Sequence, residues 1–320
     1  AGFGIPVSQR FGAEDMQGLR RYVYHSLVVT AIIAVVLTTL TALLCPLIMR
    51  IMQTPEDIYQ DAYRYLLIIF LGIPFTLLYN LLSSLLRAVG NSKAPFIFLA
   101  ISTFLNVFLD LFCIAVLHLG CAGAALATII AQALSGIACL VYIILVMPVL
   151  HPTREDCHWN STVARNLVVM GVPMGLQYSV TAIGSMVMQS ANNGLGSIYV
   201  SGFTAGTKVK QLMLCPFDAV ATAMATFVGQ NMGAHKMDRV KQGIRVTLAL
   251  AVGYGIVAGV IMNFGGHFLG SLFVDAANVS VIDAAARYMG ALGILYWLLA
   301  ILDVTRYAIQ SLGFSALSVI

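Results

Sequence analysis

The chain has 320 residues, of which 60% are hydrophobic and only 9% charged, with a formal net charge of +4. Soluble domains carry about 25% charged residues, and the mean hydropathy here is +0.91. These values exclude a soluble domain, offer no basic face for nucleic acid, and leave an all-α polytopic membrane protein embedded in a lipid bilayer. Six cysteines, at 45, 113, 121, 139, 157 and 215, make no CxxC or Cys/His ligand spacing, so neither a metal centre nor a cofactor is expected. Cys113, Cys139 and Cys215 fall within apolar runs and read as packing residues.

In chain order, residues 1–7 read as the end of a span and Ser8–Arg21 as a polar loop. Spans follow at Tyr22–Met49, Tyr63–Leu86, Ala94–Leu117, Gly120–Met147, Leu167–Asn192, Ser197–Val228, Val240–Leu272 and Ala284–Leu312. Each is near or above the roughly 20 residues that cross a bilayer. Pro74, Pro173 and Pro216 lie inside spans and invite kinks, whereas Pro95 sits harmlessly at a helix start.

The third span carries Asn106 and Asp110, four residues apart and hence on one helix face. An acid at this depth costs roughly 2.5–3.5 kcal/mol on insertion scales and marks a functional site with a partner. Asp110 lies nine residues before Leu119 and Thr128 nine after it. Across a turn at Leu119-Gly120, both would reach one depth on adjacent antiparallel helices. The fourth span repeats small residues at Gly123, Ala127, Ala131, Ser135 and Cys139, a stripe that lets backbones approach closely in lipid. The oxygens of Asn106, Asp110 and Thr128 suit a proton or a small hard cation such as Na+.

The loops at 8–21, 87–93, 148–166 and 229–245 hold Arg10, Arg20, Arg21, Arg87, Lys93, Arg154, Arg165, Lys236, Arg239, Lys241 and Arg245, 11 of the 17 basic residues. These loops alternate along the chain, so the positive-inside rule places them in the cytoplasm, with the chain in the cell membrane. The sequence also repeats itself. Residues 7–27 match 228–248 at 6 of 21 positions, and Ala62, Arg64, Tyr65, Gly90 and Ser92 recur as Ala285, Arg287, Tyr288, Gly313 and Ser315. The period holds six spans, an even number, so the copies run parallel, as in two-lobed alternating-access transporters. Two whole copies need about 444 residues, so the 320-residue sequence reads as a fragment.

VSQRFGAED at 7–15, LLRAVGNSKAP at 85–95, LNVFLD at 105–110, GAALAT at 123–128, GVP at 171–173, FVGQNMGAHKMDRV at 227–240 and AIQSLG at 308–313 together resemble the multidrug and toxic compound extrusion (MATE) family of antiporters. The resemblance implies two parallel six-helix lobes around a central cavity. Residues 1–150 would be the N-terminal lobe from the end of helix 2 to helix 6, 151–166 a cytoplasmic linker, and 167–320 helices 7–10 of the C-terminal lobe. Helix 1 and helices 11–12 would lie outside the sequence. It further implies a monomeric exporter of cationic amphipathic drugs, driven by Na+ or H+, and no enzymatic activity.

Asn106, Asp110 and Thr128 match the family's N-lobe polar cluster. The family completes that cluster with an aspartate on helix 1. One branch also uses a glutamate on helix 7 and an aspartate on helix 10. Here helix 7 reads GVPMGLQYSVTAIGSMVMQ without an acid, and Asp303 sits nearer Arg306 than that aspartate would, so coupling is expected in the N-lobe. A cation or proton that neutralises Asp110 would then disfavour the drug-loaded state.

Other residues carry competing readings. Asp303 and Arg306, three apart, are either an intrahelical pair or part of the cavity. Lys208, mid-span, faces the cavity or an acid, and Gln177 is a further cavity candidate. Met174, Tyr178 and Met186 on helix 7 either line a drug path or fill the core. A flippase for a lipid-linked saccharide would share the two-lobed plan, but it needs many basic residues in its cavity and few cations lie mid-span. A prenyltransferase would need paired aspartate-rich loop motifs, and no such pair occurs.

Overall fold

The computed structural model describes residues 2–52, 54–275 and 277–319. The helices are α1 (Gly4–Gly12), α2 (Met16–Ile51), α3 (Glu56–Leu71), α4 (Ile73–Ala88), α5 (Lys93–Leu111), α6 (Gly120–Val146), α7 (Ser161–Asn193), α8 (Ser197–Gly233), α9 (Met237–Phe264), α10 (Gly266–Ser271) and α11 (Val279–Ser311). Among the described residues seven helices are long and apolar enough to cross a membrane, or eight if the bent pair α3–α4 counts as one span. Their exposed faces are apolar, with Phe104 at 80% and Phe264 at 85% exposure, as lipid-facing residues should be.

Two compact units emerge, one over residues 3–167 and one from Val168 onward. In the first, α6 packs against α3, α4 and α5. Its small-residue stripe is buried as expected, with Gly123, Ala127, Ala131, Ser135 and Cys139 all inside. Ser102 on α5 donates to the Ala131 carbonyl at 2.6 Å, and a Cβ on Gly123 would meet the Cys113 Cβ at 2.9 Å. In the second unit α11 is central, packed on α8 and α9.

Several boundaries depart from the sequence expectations. The polar loop at 8–21 is mostly helical, because Asp15 caps α2 by accepting from the Gly18 N–H at 2.8 Å and pairs with Arg10. The Tyr63–Leu86 span breaks at Gly72 with a bend of 40°. A Cβ on Gly72 would lie 2.4 Å from Ile129 Cγ1, so α6 presses on the break. Pro74 therefore belongs to the first turn of α4 and not to a helix interior. Glu56 and Asp57 occupy the first turn of α3, where acids offset the helix dipole. The Val240–Leu272 span ends at Phe264, and α10 follows after Gly265. Cys215 is exposed and donates to the Gln211 carbonyl, so it is not a core residue.

The internal repeat extends to backbone geometry. Glu14 at φ 57° and His235 at φ 56° occupy the left-handed region at matching positions, as do Gly90 at φ 88° and Gly313 at φ 95°. The closing hydrogen bonds also recur: Ala13, Glu14 and Asp15 bond back as Ala234, His235 and Lys236 do, and Gly90 and Asn91 as Gly313 and Phe314 do. The Gln9/Gly12 and Gln230/Gly233 segments are thus capped helix ends.

Residues 151–160 are tied to the first unit. Asn160 N–H donates to His25 Nε2 at 2.8 Å. His25 Nδ1–H therefore donates to the Arg21 carbonyl at 2.7 Å, which makes the fully buried His25 the neutral tautomer. Asp156, 2% exposed, accepts from the Thr153 backbone N–H and hydroxyl. Burial alone would raise its carboxyl, but the Thr153 bonds and the nearby Arg20 and Arg21 more than offset that and hold it below the usual carboxylate range. A lowered native pKa means that Asp156 adds stability above about pH 4, lost as the pH falls through the lowered value. Asp156→Asn should therefore lower the melting temperature near pH 7 and flatten its decline on the acid side. An unchanged acid limb in a thermal melt series would contradict this.

Candidate functional site

Among the described residues, one polar cluster lies in the membrane-spanning helices of each unit. In the first, Asp110 sits at the end of α5, one residue before its last residue, Leu111. The helix then widens into a π-turn over Phe112–Val116, closed by Leu117 N–H donating to the Phe112 carbonyl at 3.1 Å. π-Turns of this kind are frequent at functional sites. Asp110 Oδ1 and Asn106 Nδ2 are buried atoms with no hydrogen-bond partner among the described residues. A buried polar atom left unpaired costs about 1–3 kcal/mol, so the face is poised to accept a ligand or a further group.

Thr128 does not complete this face as expected. It is exposed, and its hydroxyl donates to the Ala124 carbonyl of its own helix at 3.0 Å. The register explains this. Ser102 against Ala131 sets Thr128 level with residue 105, and Cys113 against Gly123 sets it level with residue 108. Thr128 thus lies at the depth of Asn106, roughly 3–8 Å short of Asp110 along the helix axis. The turn is longer than a hairpin at Leu119-Gly120, because the π-turn and His118 at φ 52° consume residues without advancing α5. Sequence reading also missed Gln132 and took Ser135 only as a small residue of the stripe, whereas Gln132 Oε1 and Ser135 Oγ on α6 are buried with no hydrogen-bond partner among the described residues.

In the second unit, Arg306 Nη2 pairs with Asp303 Oδ1 at 2.9 Å, an i,i+3 contact within α11. Gln177 on α7 joins them. With its amide turned, its oxygen accepts from Arg306 Nε and Nη1 at 2.8 Å each, and its nitrogen, 2.8 Å from the Gln310 amide, donates to it once that amide is turned too and presents its oxygen. The Gln310 amide also reaches Ser318 Oγ at 3.0 Å. The guanidinium lies 5.7 Å from the Tyr307 ring centroid, and the Tyr307 and Tyr178 hydroxyls are 3.1 Å apart. Asp218, exposed on α8, is within electrostatic reach of Arg306 and Asp303. Gln310 and Tyr307 went unnoticed in the sequence, although Arg306/Gln310 and Asp303/Tyr307 are both i,i+4 pairs on one helix.

Lys208 is not in this cluster. It is exposed and its ammonium lies 5.9 Å from the Phe273 ring centroid. Met174 is buried at 5% exposure and so packs inside instead of lining an open path, whereas Met186 is 70% exposed on α7. Phe203 packs on Tyr288, with ring centroids 4.9 Å apart. Among the described residues no group of three His, Cys, Asp or Glu side chains could hold a metal ion.

The MatE family model matches residues 1–112 and 173–320. The Probable multidrug resistance protein YpnP of Bacillus subtilis is 33% identical over 234 residues, covering 73% of this chain and 52% of the relative. The Probable multidrug resistance protein YoeA of the same organism is 28% identical over 288 residues, covering 86% of this chain and 61% of the relative. The chain thus spans about half to three-fifths of the length of these relatives. A solved outward-facing multidrug resistance MATE family transporter of the MOP superfamily superposes with a TM-score of 0.93 at 19% identity, over 99% of this chain and 71% of that one. At that identity the match establishes the fold.

Proposed function

The chain belongs to the MatE family, and on that premise we propose that it forms the greater part of a cation-coupled exporter of cationic amphipathic compounds, a transporter and not an enzyme. The observation that carries this reading is the unpartnered Asp110 carboxylate beside Asn106, at a π-turn in a membrane helix. Occupied by Na+ or H+, the carboxylate is neutralised. Left empty, it is a costly charge that favours rearrangement of the surrounding helices. A drug and a cation that favour different arrangements exchange across the membrane. Thr128 donates its hydroxyl hydrogen to the Ala124 carbonyl and keeps its oxygen lone pairs, but its level near Asn106 leaves it short of Asp110, so it is the weakest contributor of the three. The multidrug resistance proteins named above support the drug class. The Lys/Arg-rich loops support a cell-membrane orientation with 8–21, 87–93, 148–166 and 229–245 inside. The repeat supports two parallel lobes within a single monomer, with residues 1–150 in the first, 151–166 linking and 167–320 in the second.

The test uses the complete reading frame in inverted membrane vesicles, with ethidium uptake followed under an imposed Na+ or H+ gradient. Uptake driven by one gradient and collapsed by the matching ionophore is expected, and it identifies the ion. No uptake with either gradient would overturn the reading.

A further inference from the structure

The second unit holds a buried carboxylate that already has a cation on it. Arg306 is fixed on three sides: its Nη2 on Asp303 at 2.9 Å, its Nε and Nη1 on the Gln177 oxygen at 2.8 Å, and its plane beside the Tyr307 ring. Asp303 is 6% exposed, and Asp218 on α8 lies within electrostatic reach of both. A guanidinium stays charged at any physiological pH and, being tethered, is always present at high effective concentration. A free Na+ or proton reaching Asp303 must displace it and break the Gln177 bonds as well. Where the guanidinium lies, the Asp303 carboxylate and the Gln177 amide therefore offer oxygens that suit a small hard cation.

We propose that Arg306 is a built-in counter-ion that closes a cation site formed by Asp303 and Gln177, with Asp218 adding negative charge from α8. On this account the second unit does not exchange cations, and Arg306 confines coupling to the first unit. The inference rests on the reading of Asp110 as the coupling site. Its consequence is specific: removing the guanidinium should uncover a second cation site, with Asp303 as its principal ligand.

The experiment measures equilibrium binding of radiolabelled Na+, and in parallel proton uptake with a pH-indicator dye, on purified full-length protein. Asp110→Asn should abolish saturable cation binding. Asp110→Asn with Arg306→Gln should regain it, and adding Asp303→Asn should abolish it again. Asp110→Asn with Arg306→Lys, which keeps a tethered charge, should stay silent. If Arg306→Gln does not fold, Arg306→Met keeps the stem beside Tyr307 and gives the same reading. A well-folded Asp110→Asn/Arg306→Gln or Asp110→Asn/Arg306→Met protein that binds no cation overturns the inference, as does regained binding that survives Asp303→Asn. If Asp110→Asn alone keeps full binding, the coupling reading fails separately. The Arg306 inference is then read in the wild-type background, where Arg306→Gln must add a site or be rejected.

Discussion

Asp110→Asn should reduce gradient-driven ethidium uptake to the passive leak while leaving the protein folded. The substitution keeps the shape of the side chain and removes only its charge. Asp110 makes no ion pair and its Oδ1 no hydrogen bond among the described residues, so little packing depends on the carboxylate. What disappears is the cation-dependence of drug affinity, which for a coupled pair of ligands is on the order of 5–150-fold. Asn106→Ala should weaken that dependence without abolishing it, because it removes a neighbour and not the charge. Thr128→Ala should change it least, because the side chain is exposed and lies roughly 3–8 Å short of Asp110 along the helix axis. The comparison that decides is vesicle uptake for the three variants alongside their melting temperatures. Normal coupled uptake by a folded Asp110→Asn protein would reduce Asp110 to a structural role.

The second large effect is structural. α9 and α11 cross backbone to backbone at Gly259 and Gly293. A Cβ on Gly259 would lie 2.3 Å from the Gly293 carbonyl oxygen, and one on Gly293 2.6 Å from the Gly259 oxygen. The atoms met are main-chain, so no rotamer change relieves the overlap. The helices must separate, and Met262 and Met289, both fully buried, sit in the same core. Overpacking of this kind typically costs 1–3 kcal/mol, and Gly259→Ala should reach about the upper end of that range. Gly253→Ala is the control, since a Cβ there meets nothing within 4 Å. Thermal melts in detergent should show a large drop for Gly259→Ala and almost none for Gly253→Ala. Equal melting temperatures would contradict the crossing.

Hydrophobic run lengths located the membrane helices because a spanning helix must be apolar over its whole length. The stripe from Gly123 to Cys139 was legible for a related reason, since only small side chains permit close helix contact in lipid. The repeated turn at Gly90 and Gly313 was legible because a left-handed position favours glycine, whereas the matching left-handed Glu14 and His235 differ in residue type and were not. The break at Gly72 was not legible, since a glycine two residues before a proline is as compatible with a kink inside one helix as with two helices. Nor was the offset of Thr128. Counting residues from the turn assumed α-helical rise throughout, and the π-turn after Asp110 altered the count. The Gln177–Arg306–Gln310 network joins α7 to α11, and no spacing within one helix encodes a contact between residues 133 positions apart.

The central claim is that a cation at Asp110 and a drug compete through one conformational equilibrium. Linkage requires that each weaken the other by the same factor. The most direct measurement is the ethidium Kd of the purified full-length protein, across a Na+ series at fixed pH and a pH series without Na+, together with the cation affinity with and without saturating ethidium. The account predicts that one of the two ions raises the ethidium Kd. It also predicts that ethidium lowers that ion's affinity by an equal factor and that both effects vanish in Asp110→Asn. An ethidium Kd indifferent to both ions, or a cation effect that persists unchanged in Asp110→Asn, would contradict it.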